Sequence, residues 1–247
     1  MTAMDIKIPK SITPSPIIEA ITELRFENEL PSAILFGKLY AGLSTDFEEV
    51  EQLPILSMPE EFRKSQPGLT YAPHYRLKND KYLVNVGQNS LSVNHVCIDS
   101  PYTNWAEYKR VIDHVFELFQ STNVVSQVSR LSVAYVNLFD SDITSTLNLS
   151  LDFLGGRLTD QSNLVLSFRK ELENDEKVDI KIGENAEVDL KTHKRQGLVL
   201  NISAFKETTT AIEDISMRVD SLHQQCEKFF FSSLNPKYVE GAGPKYE

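Results

Sequence analysis

From Ile18 to Phe26 the chain alternates. Ile18, Ala20, Thr22, Leu24 and Phe26 fall on one side, and Glu19, Ile21, Glu23 and Arg25 on the other. That period of two predicts a half-buried strand. Pro31 suits a first helical turn, and Phe36, Leu39, Tyr40, Leu43 and Phe47 then recur at helical spacing. Gly37 and Gly42 each weaken that helix by about 1 kcal/mol relative to alanine. Pro54, Pro59, Pro67 and Pro73 predict a loop over 51–73, with room for one short turn. Three short strands follow: one over 75–78, one carrying Tyr82, Val84 and Val86, and one with Leu91, Val93, His95 and Cys97 on a single face. Asn104 and Glu107 form a capping-box start. The stripe Trp105, Tyr108, Ile112, Val115 and Phe119 then predicts an amphipathic helix.

The second half repeats this order. Over 128–138, Leu131, Val133, Tyr135, Asn137 and Phe139 share one strand face, and Arg130, Ser132, Ala134 and Val136 the other. A short apolar segment over 146–154 fits either helix or strand and is closed by Gly155-Gly156. Leu164, Leu166 and Phe168 alternate, as do Val178, Ile180 and Ile182, then Val188 and Leu190, then Leu198, Leu200 and Ile202. Charged hairpin connections are expected over 171–177 and 191–196. Thr210 and Glu213 form a second capping box before the stripe Ile212, Ile215, Val219, Leu222, Cys226, Phe229 and Phe230, which Asn235-Pro236 ends.

Hairpin-linked strands imply a largely antiparallel sheet, and helices with one apolar stripe must lie on one of its faces. The predicted fold class is therefore α+β, with two similar strand–helix–hairpins–helix halves over 16–122 and 123–234. An extended arm precedes them over 1–15 and a flexible tail follows over 235–247. No residue-level identity between the halves marks a repeat.

Charge narrows the function classes. Lys and Arg number 25 against 35 Asp and Glu, a net charge of −10, which disfavours a broadly basic nucleic-acid surface or attraction to anionic lipid. No apolar run reaches the roughly 18 residues of a membrane span, and the first residues lack a signal-peptide apolar core. A cytoplasmic location is expected. Two cysteines cannot staple a secreted mini-domain.

Nucleotide-loop, zincin and nucleophile-elbow motifs are absent, so no cofactor, metal or catalytic residue is assigned. His95 and Cys97 share a strand face, but they continue the apolar row of Leu91 and Val93 and fall short of the three or four ligands a metal takes. The histidines sit in five different elements. His114 and His223 fall on polar helix sides and are expected in solvent. The Lys191–Arg195 cluster is a concentrated basic patch that fits a solvated turn better than a phosphate contact. Glu19, Glu23 and Arg25 share one strand face. Outside a sheet they are ordinary solvated charges; lining a cleft between the halves, they would meet a ligand. Pairing of the first strand with 128–138 would bring Arg130 within reach of Glu23 or Glu19. Tyr135 and Asn137, on the opposite parity, would orient a ligand or cap the core.

Three segments carry a likeness. The run from Pro16 to Phe26, the pair Tyr102 and Trp105, and the stretches 128–130 and 135–137 resemble motifs of a sporadically distributed prokaryotic family with no established activity. The resemblance spans nearly the whole chain and implies lateral transfer, as in mobile or phage-defence gene neighbourhoods. It points to Pro16, Glu19, Glu23, Arg25, Trp105, Arg130, Tyr135 and Asn137 as positions to test. Taken together, the expectation is a non-catalytic binding or regulatory module that uses an inter-half cleft or a sheet edge. A protein, a small molecule or a second copy of the chain are its candidate partners. A small hydrolase or transferase using Glu19 or Glu23 with Arg25 or Arg130 is the first alternative. A nucleic-acid contact through Lys191–Arg195 is the second.

Overall fold

The computed structural model describes residues 8–98, 100–125, 127–150, 152–153, 156–157, 164–190, 193–207 and 209–246. Its first half contains β1 (Ile17–Arg25), α1 (Ser32–Leu43), β2 (Glu49–Gln52), α2 (Glu60–Ser65), β3 (Pro73–Lys78), β4 (Tyr82–Gly87), β5 (Ser90–Val96) and α3 (Trp105–Ser121). The second contains β6 (Gln127–Val128), β7 (Arg130–Phe139), α4 (Ile143–Thr146), β8 (Asp152–Phe153), β9 (Gly156–Arg157), β10 (Val165–Glu171), β11 (Glu176–Leu190), β12 (His193–Lys206), β13 (Thr210–Ala211), α5 (Ile215–Ser233) and α6 (Pro236–Gly241).

Nine strands form one antiparallel sheet in the order β10-β11-β12-β7-β1-β5-β4-β3-β2. In each half the first strand pairs with the last strand before the closing helix, and the halves join where β1 meets β7. The alternation of β1 holds: Ala20, Thr22 and Leu24 are fully buried, while Glu19, Ile21, Glu23 and Arg25 are only half-buried. Reading across the sheet, Leu77, Val84, Val93, Thr22, Val133, Ala204 and Val178 are direct cross-strand partners, and every one is 0% exposed. That unbroken row is the floor on which α1, α3 and α5 lie, so the helices occupy one face. The fold class is α+β.

The helices form where their stripes predict, with local shifts. Asn104 Oδ1 accepts from the Glu107 backbone N–H at 2.8 Å, the capping interaction expected for α3. In α1 the buried stripe is Leu35, Leu39 and Leu43, and Tyr40 is exposed. Gly42 is not a defect there: a Cβ would lie 2.7 Å from Leu118 Cδ2, so its absence lets α1 approach α3.

Three local expectations are corrected. Lys194, Arg195 and Gln196 are not hairpin connection; they lie in β12, opposite Asp189, Val188 and Glu187. The closing helix begins at Ile215, after a single tight turn over 212–214, rather than directly after Thr210, which pairs with Val128 in a two-residue ladder. The tail is ordered by backbone pairing. Asn235 caps α6, Lys245 exchanges backbone hydrogen bonds with Lys10 and Ser11, and the Thr13 N–H donates to the Ala242 carbonyl. Arm and tail thus form a strap across the end of the sheet where β1 begins. Lys191 and Thr192, Gly155, and residues 1–7 of the arm lie outside the described residues.

Candidate functional site

The two parities of β1 and β7 lead to different faces, and the expected site residues divide between them. Glu19, Glu23, Arg25 and Arg130 lie on the face without helices. Here the register settles the partners: Arg25 is opposite Arg130, and Glu23 is opposite Ser132. The expected charge-assisted pair between Arg130 and Glu23 or Glu19 does not form, although the Glu23 charge still acts on Arg130 from a diagonal position. Glu23 accepts from Arg25 Nε at 2.6 Å. Arg130 donates to Glu207 at 3.3 Å and stacks its guanidinium 4.0 Å above the Phe205 ring. Burial first, and Arg25 second, pull the Arg130 pKa below its ordinary value. Glu19 accepts from Asn94 at 2.8 Å, the last link of a polar chain that runs back through Ser92, Asn85 and Arg76 to Glu51. These charges are engaged with one another across a continuous sheet surface.

Tyr135 and Asn137 project to the helix face. They form part of a cavity of about 620 Å³ where the N-terminus of α3, the C-terminal half of α5 and the strap converge over β7 and β12. The size falls within the range of small-molecule sites. This is a cleft between the halves, because α3 closes the first and α5 the second. Asn137 is 1% exposed and its Nδ2 donates to the Leu200 carbonyl at 3.0 Å, while its Oδ1 is buried without a hydrogen bond. The Tyr102 hydroxyl is buried next to Tyr135, also without a well-formed hydrogen bond, and the two rings meet edge-on at 5.9 Å.

His223 joins the two helices. Its ring stacks on Trp105 with centroids 3.9 Å apart and planes 11° off parallel, and its Nδ1 lies 2.9 Å from the Tyr135 hydroxyl. Trp105 Nε1 donates to Asp220 at 2.9 Å. Lys109 binds both carboxylate oxygens of Asp113 and the Ser216 hydroxyl, extending a polar seam between α3 and α5. Burial pulls the His223 pKa down to about 4, against the opposing pull of Asp220, so the imidazole is neutral at pH 7. The expectation that His223 lies in solvent is thus overturned. Four residues on, Glu227 lines the same cavity. Its pKa is raised by burial alone, and among the described residues it has no hydrogen bond or ion pair.

Elsewhere, potential chemistry is locked. Ser32 Oγ lies 2.7 Å from His74 Nδ1, both residues being buried. Arg63 approaches His74 Nε2 at 3.0 Å, and a guanidinium can only donate. The same guanidinium nitrogen lies 3.4 Å from Nδ1, so the buried ring is held between Ser32 and Arg63, and burial first and the Arg63 charge second pull its pKa down. Cys97 and Cys226 are buried, with thiols pushed up to about 12 by burial, so neither is a thiolate at neutral pH. No cluster of three or more metal-ligating side chains occurs among the described residues. A second cavity of about 630 Å³ lies across the strap residues Pro14–Ile17, but the Asp140 and Arg195 charges at its wall pair with each other. Lys194 pairs with Glu187, which leaves the described part of the basic cluster neutralised.

Alternation in β7 placed Tyr135 and Asn137 on the helix face, but nothing singled out His223 and Glu227. The signal for His223 was present: it is four residues after Val219 and three before Cys226, inside the buried stripe of α5. Glu227 follows one turn later. No family model matches the chain, and comparison with curated proteins finds no match either.

Proposed function

We propose that this protein is a binding module whose cleft between the two halves holds a small, largely apolar molecule. The observation that carries this reading is the 620 Å³ cavity in which Glu227 has no protein partner among the described residues, in contrast to the paired charges of the opposite sheet face. Aromatic and proline walls supply apolar contact, and a few polar groups fix orientation, as in ligand pockets generally. The seam of Trp105, His223 and Tyr135 joins the halves at the cavity, so a bound molecule touches both. Function then lies in recognition, with helix packing reporting occupancy.

Trp105 is the sole tryptophan of the chain, and its emission reports on the cavity. Titration with 2-phenylethanol should shift that emission saturably. Ile17→Phe, which grows a half-buried wall residue into the space, should weaken the response at least tenfold while the thermal melt stays cooperative. A linear, non-saturating response in the parent protein would refute the reading.

A further inference from the structure

The cavity's polar groups are unequal. Asn137 and Tyr102 hold their unpaired oxygens beneath the surface, with almost no exposure. His223 is neutral and already tied to Tyr135. Lys10 and Lys245 reach the rim from the strap and are exposed to water. Glu227 alone offers a half-buried charge with no counter-ion among the described residues. A carboxylate in that position is costly unless something arrives to pair with it. Trp105, Tyr102, Phe230 and Phe231 line the same cavity, and aromatic ring faces attract cations.

Resting on the reading of the cavity as a ligand site, we propose that its ligand is an amine: an apolar or aromatic body seated against the aromatic wall, with a protonated nitrogen against the Glu227 carboxylate. The ammonium supplies the missing counter-charge and donates hydrogen bonds to the carboxylate oxygens. A neutral molecule of the same shape leaves that charge unpaired, and an anion adds a second negative charge beside it.

Three probes of similar shape separate the possibilities: 2-phenylethylamine, 2-phenylethanol and 3-phenylpropionate, each titrated at pH 7 against Trp105 emission. The amine should bind at least tenfold more tightly than the alcohol. Glu227→Gln, nearly isosteric, should abolish that preference while leaving alcohol affinity within twofold. Equal affinity for amine and alcohol in the parent protein would overturn the amine assignment and leave the cavity reading standing. Tightest binding of the carboxylate would also overturn it, moving recognition to Lys10 and Lys245. Failure of all three to bind would overturn both.

Discussion

The two faces of the sheet use charge in opposite ways. On the bare face, Glu23 meets Arg25, Arg130 meets Glu207, and Glu19 ends a chain of amides and hydroxyls that begins at Glu51. Those groups are partly exposed and paired across a continuous surface, with the Arg130 Nε alone among them buried without a hydrogen bond. On the covered face, Glu227 stands half-buried in the cleft with no partner among the described residues, and burial holds His223 neutral. A paired charge in partial solvent contributes little and binds little. A half-buried one with no partner among the described residues loses hydration without an ion pair in return. The candidate site therefore lies at the junction of α3 and α5 and not on the acidic strand.

The largest expected effect separates the faces by neighbouring residues of one strand. Leu24, 0% exposed, packs into the core, and Leu24→Ala should cost about 2–5 kcal/mol. Glu23→Ala removes a half-exposed ion pair and should cost less than about 1 kcal/mol. Urea denaturation of both variants measures the gap. Comparable losses would mean that the bare face is as integral to the core as the covered one.

The next effect belongs to His223. Its pKa is about 4 when folded and near 6.5 when unfolded. As pH falls below 6.5 the unfolded chain takes up the proton first, so stability declines between about pH 6.5 and 4 and is unaffected by this group above that window. The leg is worth up to about 3 kcal/mol. His74 and His95 are shifted in the same direction, by burial first, so the wild-type slope is shared. His223→Asn should flatten it in part, as urea melts at pH 7 and pH 4.5 would show. An unchanged slope would place His223 in water and dissolve the contrast between the faces.

Much of this was legible in the chain, and the limits have physical causes. Alternation assigns a face, so β1 and β7 were readable, and Tyr135 and Asn137 fell where parity put them. Alternation does not assign register: a two-residue slip preserves every inward and outward choice. That is why Arg130 was expected near Glu23 or Glu19 and instead lies across from Arg25. The capping of α3 was readable because Asn104 and Glu107 interact within one turn. Stacking of Trp105 on His223 joins elements more than a hundred residues apart, and no local pattern encodes it. A histidine inside an apolar stripe is also ambiguous until its partners are known, since Tyr135 is what makes burial of His223 affordable.

The smallest effect is also the sharpest test, because it rests on sign. Glu227 and Glu23 are both half-exposed glutamates, and replacing either with glutamine changes shape very little. For Glu23 the substitution removes an attraction to Arg25 at 2.6 Å, so Glu23→Gln should lower stability slightly at pH 7, by less than about 1 kcal/mol. For Glu227 burial raises the folded pKa above its ordinary value. The native state then holds its proton more tightly than the unfolded chain, and ionisation above that pKa opposes folding. Glu227→Gln should therefore raise the melting temperature at pH 7, with the gain vanishing as pH drops below the ordinary glutamate value of 4.5, where the parent side chain is protonated in both states. Calorimetry at pH 7 and pH 4 on the two variants reads both signs. A loss of stability for Glu227→Gln would mean that the carboxylate already has a favourable partner within the protein, and with it the reason to expect a ligand there would be gone.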